Sequence, residues 1–195
     1  MPAWVPADEA KPAPDRLLLV QSFVNTRDAS LGTDLLAEPG ASAQWLRAAG
    51  LIGAADAASP DELRVAREAR EAIRALITAD GAPDKGDIGV LETAASAARP
   101  RLSVSPDGIV QLAAPQPGGI ADGLAGLLLI IRDAQRDGTW DRLKACGNPE
   151  CRWAFYDRSH SRRGTWCDMA ACGNVMKNRN LRARRSALGG PPSQG

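Results

Sequence analysis

Hydrophobic and polar positions alternate with a helical period over most of this chain, most clearly from Pro60 to Ala79. There Leu63, Ala66, Ala69/Arg70, Ile73, Leu76 and Ile77 recur at three- and four-residue spacing, the mark of an amphipathic helix. The remaining Arg and Glu residues fall on the other faces, where they are expected to pair along the surface. Ser59 stands three residues before Glu62 and Pro60 takes the first helical position, so the segment opens with a capping box. Asp80-Gly81-Ala82-Pro83 ends it.

Other segments follow the same logic. Leu17 to Val24 is apolar enough for a helix or a buried strand; periodicity does not separate them, and a helix is the reading adopted. It ends at Asn25-Thr26-Arg27-Asp28. Asp34-Leu35-Leu36 begins a short element. Ser42 to Ala49, with Trp45, Leu46 and Ala49 on one face, is a helix stopped by Gly50. Asp87 to Arg99 is an Ala-rich helix with Ile88, Leu91, Ala95 and Ala98 on one side. The period then changes. Arg101–Ser105 and Ile109–Ala113 read as short strands joined by Pro106-Asp107-Gly108. Gly118 to Arg136 is again helical, with Ile120, Leu124, Leu127, Leu128 and Ile131 inward.

These elements predict a mainly α domain with a small β-hairpin (α+β) over residues 16–141. A Pro/Ala-rich flexible arm precedes it at 1–15, and a compact module follows at 142–185. The Gly/Pro/Ser-rich stretch 186–195 is expected to be a disordered tail. At 195 residues the chain has room for one medium domain and a small appended one.

Charge divides at the same boundary. The net charge of +1 conceals about −7 over residues 1–141 and +8 over residues 142–185. A basic module favours a polyanion, of which nucleic acid is the usual one; attraction between the acidic body and the basic module is the plainer alternative. The N-terminus has no basic segment followed by an apolar one, and the apolar run Leu124–Ile131 is too short to span a bilayer. A cytoplasmic protein without membrane partners is expected, in a compartment where thiols stay reduced.

All four cysteines lie in the basic module, as Cys146 and Cys151, then Cys167 and Cys172, with four residues inside each pair and fifteen between the pairs. Four thiolates complete a tetrahedral shell and leave no place for a catalytic water, so one structural Zn2+ is expected. Such a site is worth about 10–16 kcal/mol of apparent binding energy to a small module. Gly147-Asn148-Pro149 suits a tight knuckle whose amides face sulfur. Arg152–Asp157 follows as a strand, and Asp168 is a candidate N-cap for a helix from Met169 to about Arg185 that carries Cys172 in its first turn. Knuckle, hairpin and helix together predict a treble-clef-like zinc finger with a C-terminal helix. His160, the sole histidine, falls in a basic loop and reads as solvated.

The arginines form two clusters: Arg158, Arg162 and Arg163 in the hairpin loop, and Lys177, Arg179, Arg182, Arg184 and Arg185 on the last helix. Guanidinium groups match phosphate oxygens two at a time, so these eight residues are the candidate nucleic-acid contacts. Asn178 and Asn180 could read base edges from the same helix.

The cysteine module resembles the CGNR zinc finger through Cys146, Cys151-Arg152-Trp153, Phe155, Asp157-Arg158-Ser159, Arg162-Arg163, Trp166-Cys167, Met169 and Cys172-Gly173-Asn174. The region before it resembles the ABATE domain of stress-induced bacterial transcription regulators, through Phe23-Val24-Asn25-Thr26-Arg27, Asp34-Leu35-Leu36 and Trp45-Leu46-Arg47-Ala48-Ala49-Gly50-Leu51. The resemblance implies a mainly helical domain followed by a DNA-binding finger, with Cys146, Cys151, Cys167 and Cys172 as zinc ligands. One departure stands out: the motif's fourth letter is arginine, and here it is Val175.

A transcription regulator is therefore the leading expectation, with DNA as partner and a sensing N-terminal domain. A zinc-stabilised protein-interaction module is the alternative. Asn25, Thr26 and Arg27 are candidate ligand-binding residues if they line a pocket; otherwise they serve a helix end. A homodimer is also expected, with the Gly118–Arg136 helix as a candidate face. With no phosphate loop, no Ser-His-Asp set and one histidine, the chain is not expected to be an enzyme.

Overall fold

A computed structural model describes residue 9 and residues 11–78, 83–97, 101–113 and 118–188. Helix α1 (Leu17–Val24) leads into a tight two-residue ladder, β1 (Arg27–Asp28) and β2 (Thr33–Asp34), followed by α2 (Pro39–Ala48) and α3 (Pro60–Leu76). Then come α4 (Lys85–Ala97), the antiparallel hairpin β3 (Arg101–Val104) and β4 (Val110–Ala113), and α5 (Ile120–Asp137). A 3-10 turn, Trp140–Arg142, feeds strand β5 (Leu143–Ala145), which pairs antiparallel with β6 (Ala154–Tyr156). A π-turn, Met169–Gly173, opens the last helix, α6 (Asn174–Leu188). The architecture is the mainly α one expected, with small β-hairpins and a terminal helix after the cysteines.

Helices α1, α3, α4 and α5 pack around one apolar core, with α2 against α3. Phe23, Leu46, Leu63, Ile73 and Leu127 are essentially free of solvent, each contributing roughly 1.5–3 kcal/mol of burial. The run Leu17–Val24 is helical, lying against α3, α5 and β6. The capping box at Ser59 and Glu62 is formed in full. Gly50 and Gly138 end α2 and α5 in left-handed backbone, the position where a Cβ is costly. Gly123 lets α5 run against the backbone of Leu51, where a Cβ would collide.

Several expectations need correction. Helix α3 stops at Leu76, and the predicted stop at Asp80–Ala82 lies outside the described residues. Helix α4 begins two residues earlier than expected, because Asp84 and Asp87 cap each other across its first turn. Ala94 is its buried residue and Leu91 packs against the core as expected; Ile88 and Ala95 face solvent, and Ala98 is outside the described residues. Arg70, counted with Ala69 in the apolar stripe, is 1% exposed, and Arg74, expected on the surface, is only 2% exposed; each reaches backbone or carboxylate oxygens inside the domain. The apolar face of α5 belongs to the core, so it offers no dimer face.

The N-terminal arm and the C-terminal tail also differ from expectation over the residues described. Ala13 is buried, and its amide donates to Gln21 Oε1 at 2.7 Å. Lys11 supplies its carbonyl to the amide of Tyr156, covering the free edge of β6. Helix α6 continues through Ser186 to Leu188. Residues 1–8, 10 and 189–195 lie outside the described residues.

Candidate metal centre

The knuckle Cys146–Cys151 is the connection between β5 and β6. Asn148 organises it: its carbonyl accepts the amides of Cys151 and Arg152, at 2.9 and 3.0 Å, and its side-chain oxygen accepts the amide of Glu150. Arg152 then turns back through a left-handed conformation, φ +54°. The amide of Cys146 donates to the carbonyl of Trp153, closing the turn. Gly147 donates to the carbonyl of Thr165 and brings the second cysteine segment alongside. A Cβ there would stand 2.9 Å from Thr165 Cγ2 and 3.2 Å from Trp166, so only glycine fits.

Four sulfurs converge from these two segments. All four Sγ atoms lie within 4.8 Å of one another. Cys151 and Cys167 are 3.6 Å apart and Cys167 and Cys172 are 3.8 Å apart. A zinc–sulfur bond of about 2.3 Å places the corners of a regular tetrahedron about 3.8 Å apart, so the set fits one four-coordinate ion. An all-thiolate shell is soft and selects zinc among common divalent metals of this geometry.

The proton chemistry points the same way. Hydrogen bonds from Cys151 and Cys167, with backbone amides of Cys167 and Asn148, hold the Cys146 thiol low, at about 2. Its neighbour pushes Cys151 up to about 12, and Cys167 is pushed up by Cys146 and Cys151. Cys146, Cys151 and Cys167 hold one another's protons in this way, and a divalent cation binding the set replaces protons on its thiols. Asn148 Nδ2 points at Cys172 Sγ from 3.6 Å and supports that ligand from outside the shell.

Cys172 lies in the π-turn, whose N-cap is Asp168: its carboxylate accepts the amide of Ala171 at 2.6 Å. Gly173 sits where a Cβ would meet Met169 Sδ at 2.5 Å. The ion thus joins the knuckle to the root of α6.

The finger and the helical domain share one core and a set of buried polar ties. Asn25 acts as an artificial strand edge: its Oδ1 accepts the amide of Ala154 at 2.7 Å and its Nδ2 donates to the carbonyl of Ala154 at 2.9 Å. Gln21 Nε2 donates to the same carbonyl. Glu9 receives Asn25, Ser22, Gln21 and the Trp153 indole N–H; burial raises its carboxyl above the usual value despite those donors. Arg74 donates to the carbonyls of Val24 and Arg152, at 2.7 and 2.6 Å, and to Glu71. Arg70 grips Asp34 through two bonds of 2.6 and 2.8 Å.

Behind the metal centre, Asp157 is 4% exposed and accepts Lys144 Nζ, the amide of Ser159 and the amide of Gly164. Burial opposes its charge, but these bonds hold its carboxyl well below the ordinary value. A Cβ on Gly164 would press on that carboxylate at 2.8 Å.

The candidate polar residues near α1 have partners within the fold. Thr26 Oγ1 donates to the carbonyl of Phe23 and accepts from Arg70, and Arg27 stands 3.7 Å from Glu71. None of the cavities of about 730, 630 and 180 Å³ is lined by Asn25, Thr26 or Arg27. Asn25 is engaged by the finger and Thr26 by the end of α1 and by Arg70, while the half-exposed Arg27 has Glu71 as its near carboxylate.

The candidate nucleic-acid residues are all exposed. Arg158, Arg162 and Arg163 lie in the loop after β6 rather than in a hairpin loop, since β6 is followed by no further strand before the π-turn. Arg158 donates to the carbonyl of Pro12. Lys177, Arg179, Arg182, Arg184 and Arg185 stand along α6, which projects from the π-turn; Arg179 pairs with Glu150 at 2.7 Å. His160 is exposed. Sequence reasoning missed Arg74, Glu9 and the Lys144–Asp157 pair, and it read Asn148 only as a turn residue. Among these, only Arg74, four residues after Arg70 of the α3 stripe, gave any local sign.

A helical domain fused through a shared core to a four-cysteine finger defines the class. The chain belongs to the ABATE family, described as a putative stress-induced transcription regulator, whose model matches residues 18–136. The CGNR zinc finger model matches residues 142–185. No curated protein matches the chain closely enough to count as a relative. Among the described residues, no helix is long and apolar enough to cross a membrane.

Proposed function

We propose that this protein is a transcription regulator that grips the phosphate backbone of DNA with α6 and the Arg158–Arg163 loop. The observation that carries the reading is the state of α6: five basic side chains, all exposed, on a helix anchored at one end by a zinc ligand and packed on little else. Among the described residues only Arg179 of the five meets a carboxylate within ion-pair distance. A cationic helix left solvated in this way suits a polyanion. The family description supports a regulatory role, with the helical domain as the sensing part. The reading includes a cytoplasmic location, no catalytic activity, and pairing of two chains on two half-sites.

The test is a titration of short duplex DNA with the zinc-loaded chain at two salt concentrations. Binding is expected to weaken steeply with salt, and charge reversal at Arg182, Arg184 and Arg185 together is expected to abolish it. Affinity unchanged by that triple variant sinks the reading. A second reading, a protein-docking finger, is favoured by Val175 and Leu181, which leave apolar surface exposed on the same helix. Zinc-loaded protein that ignores DNA but captures an acidic partner would support it.

A further inference from the structure

We propose that Cys151 and Cys167 form an oxidative modification site, at which a small uncharged peroxide converts the two thiolates into a disulfide. The four ligands are unequally exposed. Cys146 and Cys172 are 4% and 8% exposed, whereas Cys151 and Cys167 are only partly buried. Both partly buried cysteines line one cavity of about 630 Å³, walled by Ala29 and Ser30 of the helical domain and by Asn148, Glu150 and Val175 of the finger; Cys172 borders the same cavity but is the more buried, so exposure and not cavity access alone sets the pair apart. Their sulfurs are 3.6 Å apart, so a shift of about 1.6 Å brings them to the bonding distance of about 2.0 Å.

The chemistry balances with peroxide as the only co-reactant. The thiolate of one cysteine attacks a peroxide oxygen; the S–O bond forms, the O–O bond breaks and hydroxide leaves. The second thiolate attacks that sulfenic sulfur; the S–S bond forms, the S–O bond breaks and hydroxide leaves again. Two thiolates lose two electrons and one peroxide gains them. Accessibility selects the pair, because the first attack needs a sulfur that the oxidant can reach, and the nearest equally open sulfur resolves it.

The product keeps only Cys146 and Cys172 as free thiolates, too few to retain the ion. Cys172 is the ligand at the root of α6, so oxidation removes the metal tie between the basic helix and the knuckle and leaves the Arg179–Glu150 pair and the Asn148 contact. This inference goes beyond DNA binding and does not rest on it, since neither measurement below involves nucleic acid.

The zinc-loaded full chain is treated with hydrogen peroxide. Zinc release is followed with a chromogenic chelator, and unreduced peptides are mapped by mass spectrometry. The expected result is a Cys151–Cys167 link as the main product, one zinc released per link, and recovery on adding dithiothreitol and zinc. A main link through Cys146 or Cys172 overturns the assignment. So does retention of zinc and all thiols at about a hundredfold excess of peroxide that oxidises the denatured chain. One variant, Ala29→Trp, fills the cavity from the helical domain and leaves all four cysteines in place. It is expected to slow zinc release about threefold or more with zinc content unchanged; release at the wild-type rate overturns the proposed access route.

Discussion

Arg74 donates to the carbonyl oxygen of Arg152 at 2.6 Å, so a buried side chain of α3 holds the left-handed turn from which the metal knuckle emerges. The same guanidinium serves Val24 and Glu71. Burial lowers its pKa, and Glu71 opposes that shift. Arg74→Met removes three partners' donor at once while keeping the length of the stem. Expected is a loss of about 3 kcal/mol, read as a lower urea midpoint. Tryptophan fluorescence and zinc retention should fail together, because knuckle and helical domain share the tie.

Asn148→Ala tests support of the ligands from outside the metal shell. The amide that faces Cys172 and the oxygen that receives Glu150 both disappear, while all four cysteines remain. Zinc affinity measured by chelator competition should fall about 10- to 100-fold. Unchanged affinity would show that the backbone alone shapes the knuckle.

Asp157 supplies the pH test. Its folded pKa lies below the unfolded value of about 3.9, so its contribution is present above that value and is lost as pH falls through the folded one. Asp157→Asn should cost about 2 kcal/mol at neutral pH, since Lys144 and two amides lose their charged acceptor. The gap between variant and wild type should narrow below about pH 4. Taking the difference between the two proteins cancels the acid sensitivity of the metal site, which both share. A gap constant down to pH 3 refutes the assignment.

Val175 stands where the finger motif carries arginine, on the exposed first turn of α6 and 44% accessible. Val175→Arg adds one cation beside the row already there. If α6 lies on phosphate, duplex DNA affinity should rise and the salt dependence should steepen by about one counterion. No change in slope would place this position away from the backbone.

Much of the fold was legible because local chemistry decides it. The capping box at Ser59, the apolar stripe of α3, the glycine ending α5 and the paired cysteines each need only residues close in sequence. The misreadings were of another kind. Arg74 meets Arg152 seventy-eight residues away; periodicity assigns such an arginine to the surface because its partner lies beyond any local window. The arm read as flexible for its prolines, yet Lys11, Pro12 and Ala13 are held by Trp166, Arg158 and Gln21. Nor did spacing reveal that β6 lies between β5 and the side chains of α1, which makes the finger a continuation of the helical core.

The strap from Glu9 to Ala13 has a consequence for how the chain is made. Lys11 Nζ bonds the carbonyl of Trp166, 155 residues later, and Glu9 waits for the indole of Trp153, 144 residues later. At roughly 5–20 residues per second, a ribosome leaves these first contacts without partners for roughly 7–30 s. In that interval Gln21 of α1 and Asn25 at its C-terminal end have water in place of the Ala154 backbone of β6. The last quarter of the polypeptide therefore closes the first, and domain-by-domain maturation ends only when the metal-bearing segment leaves the tunnel.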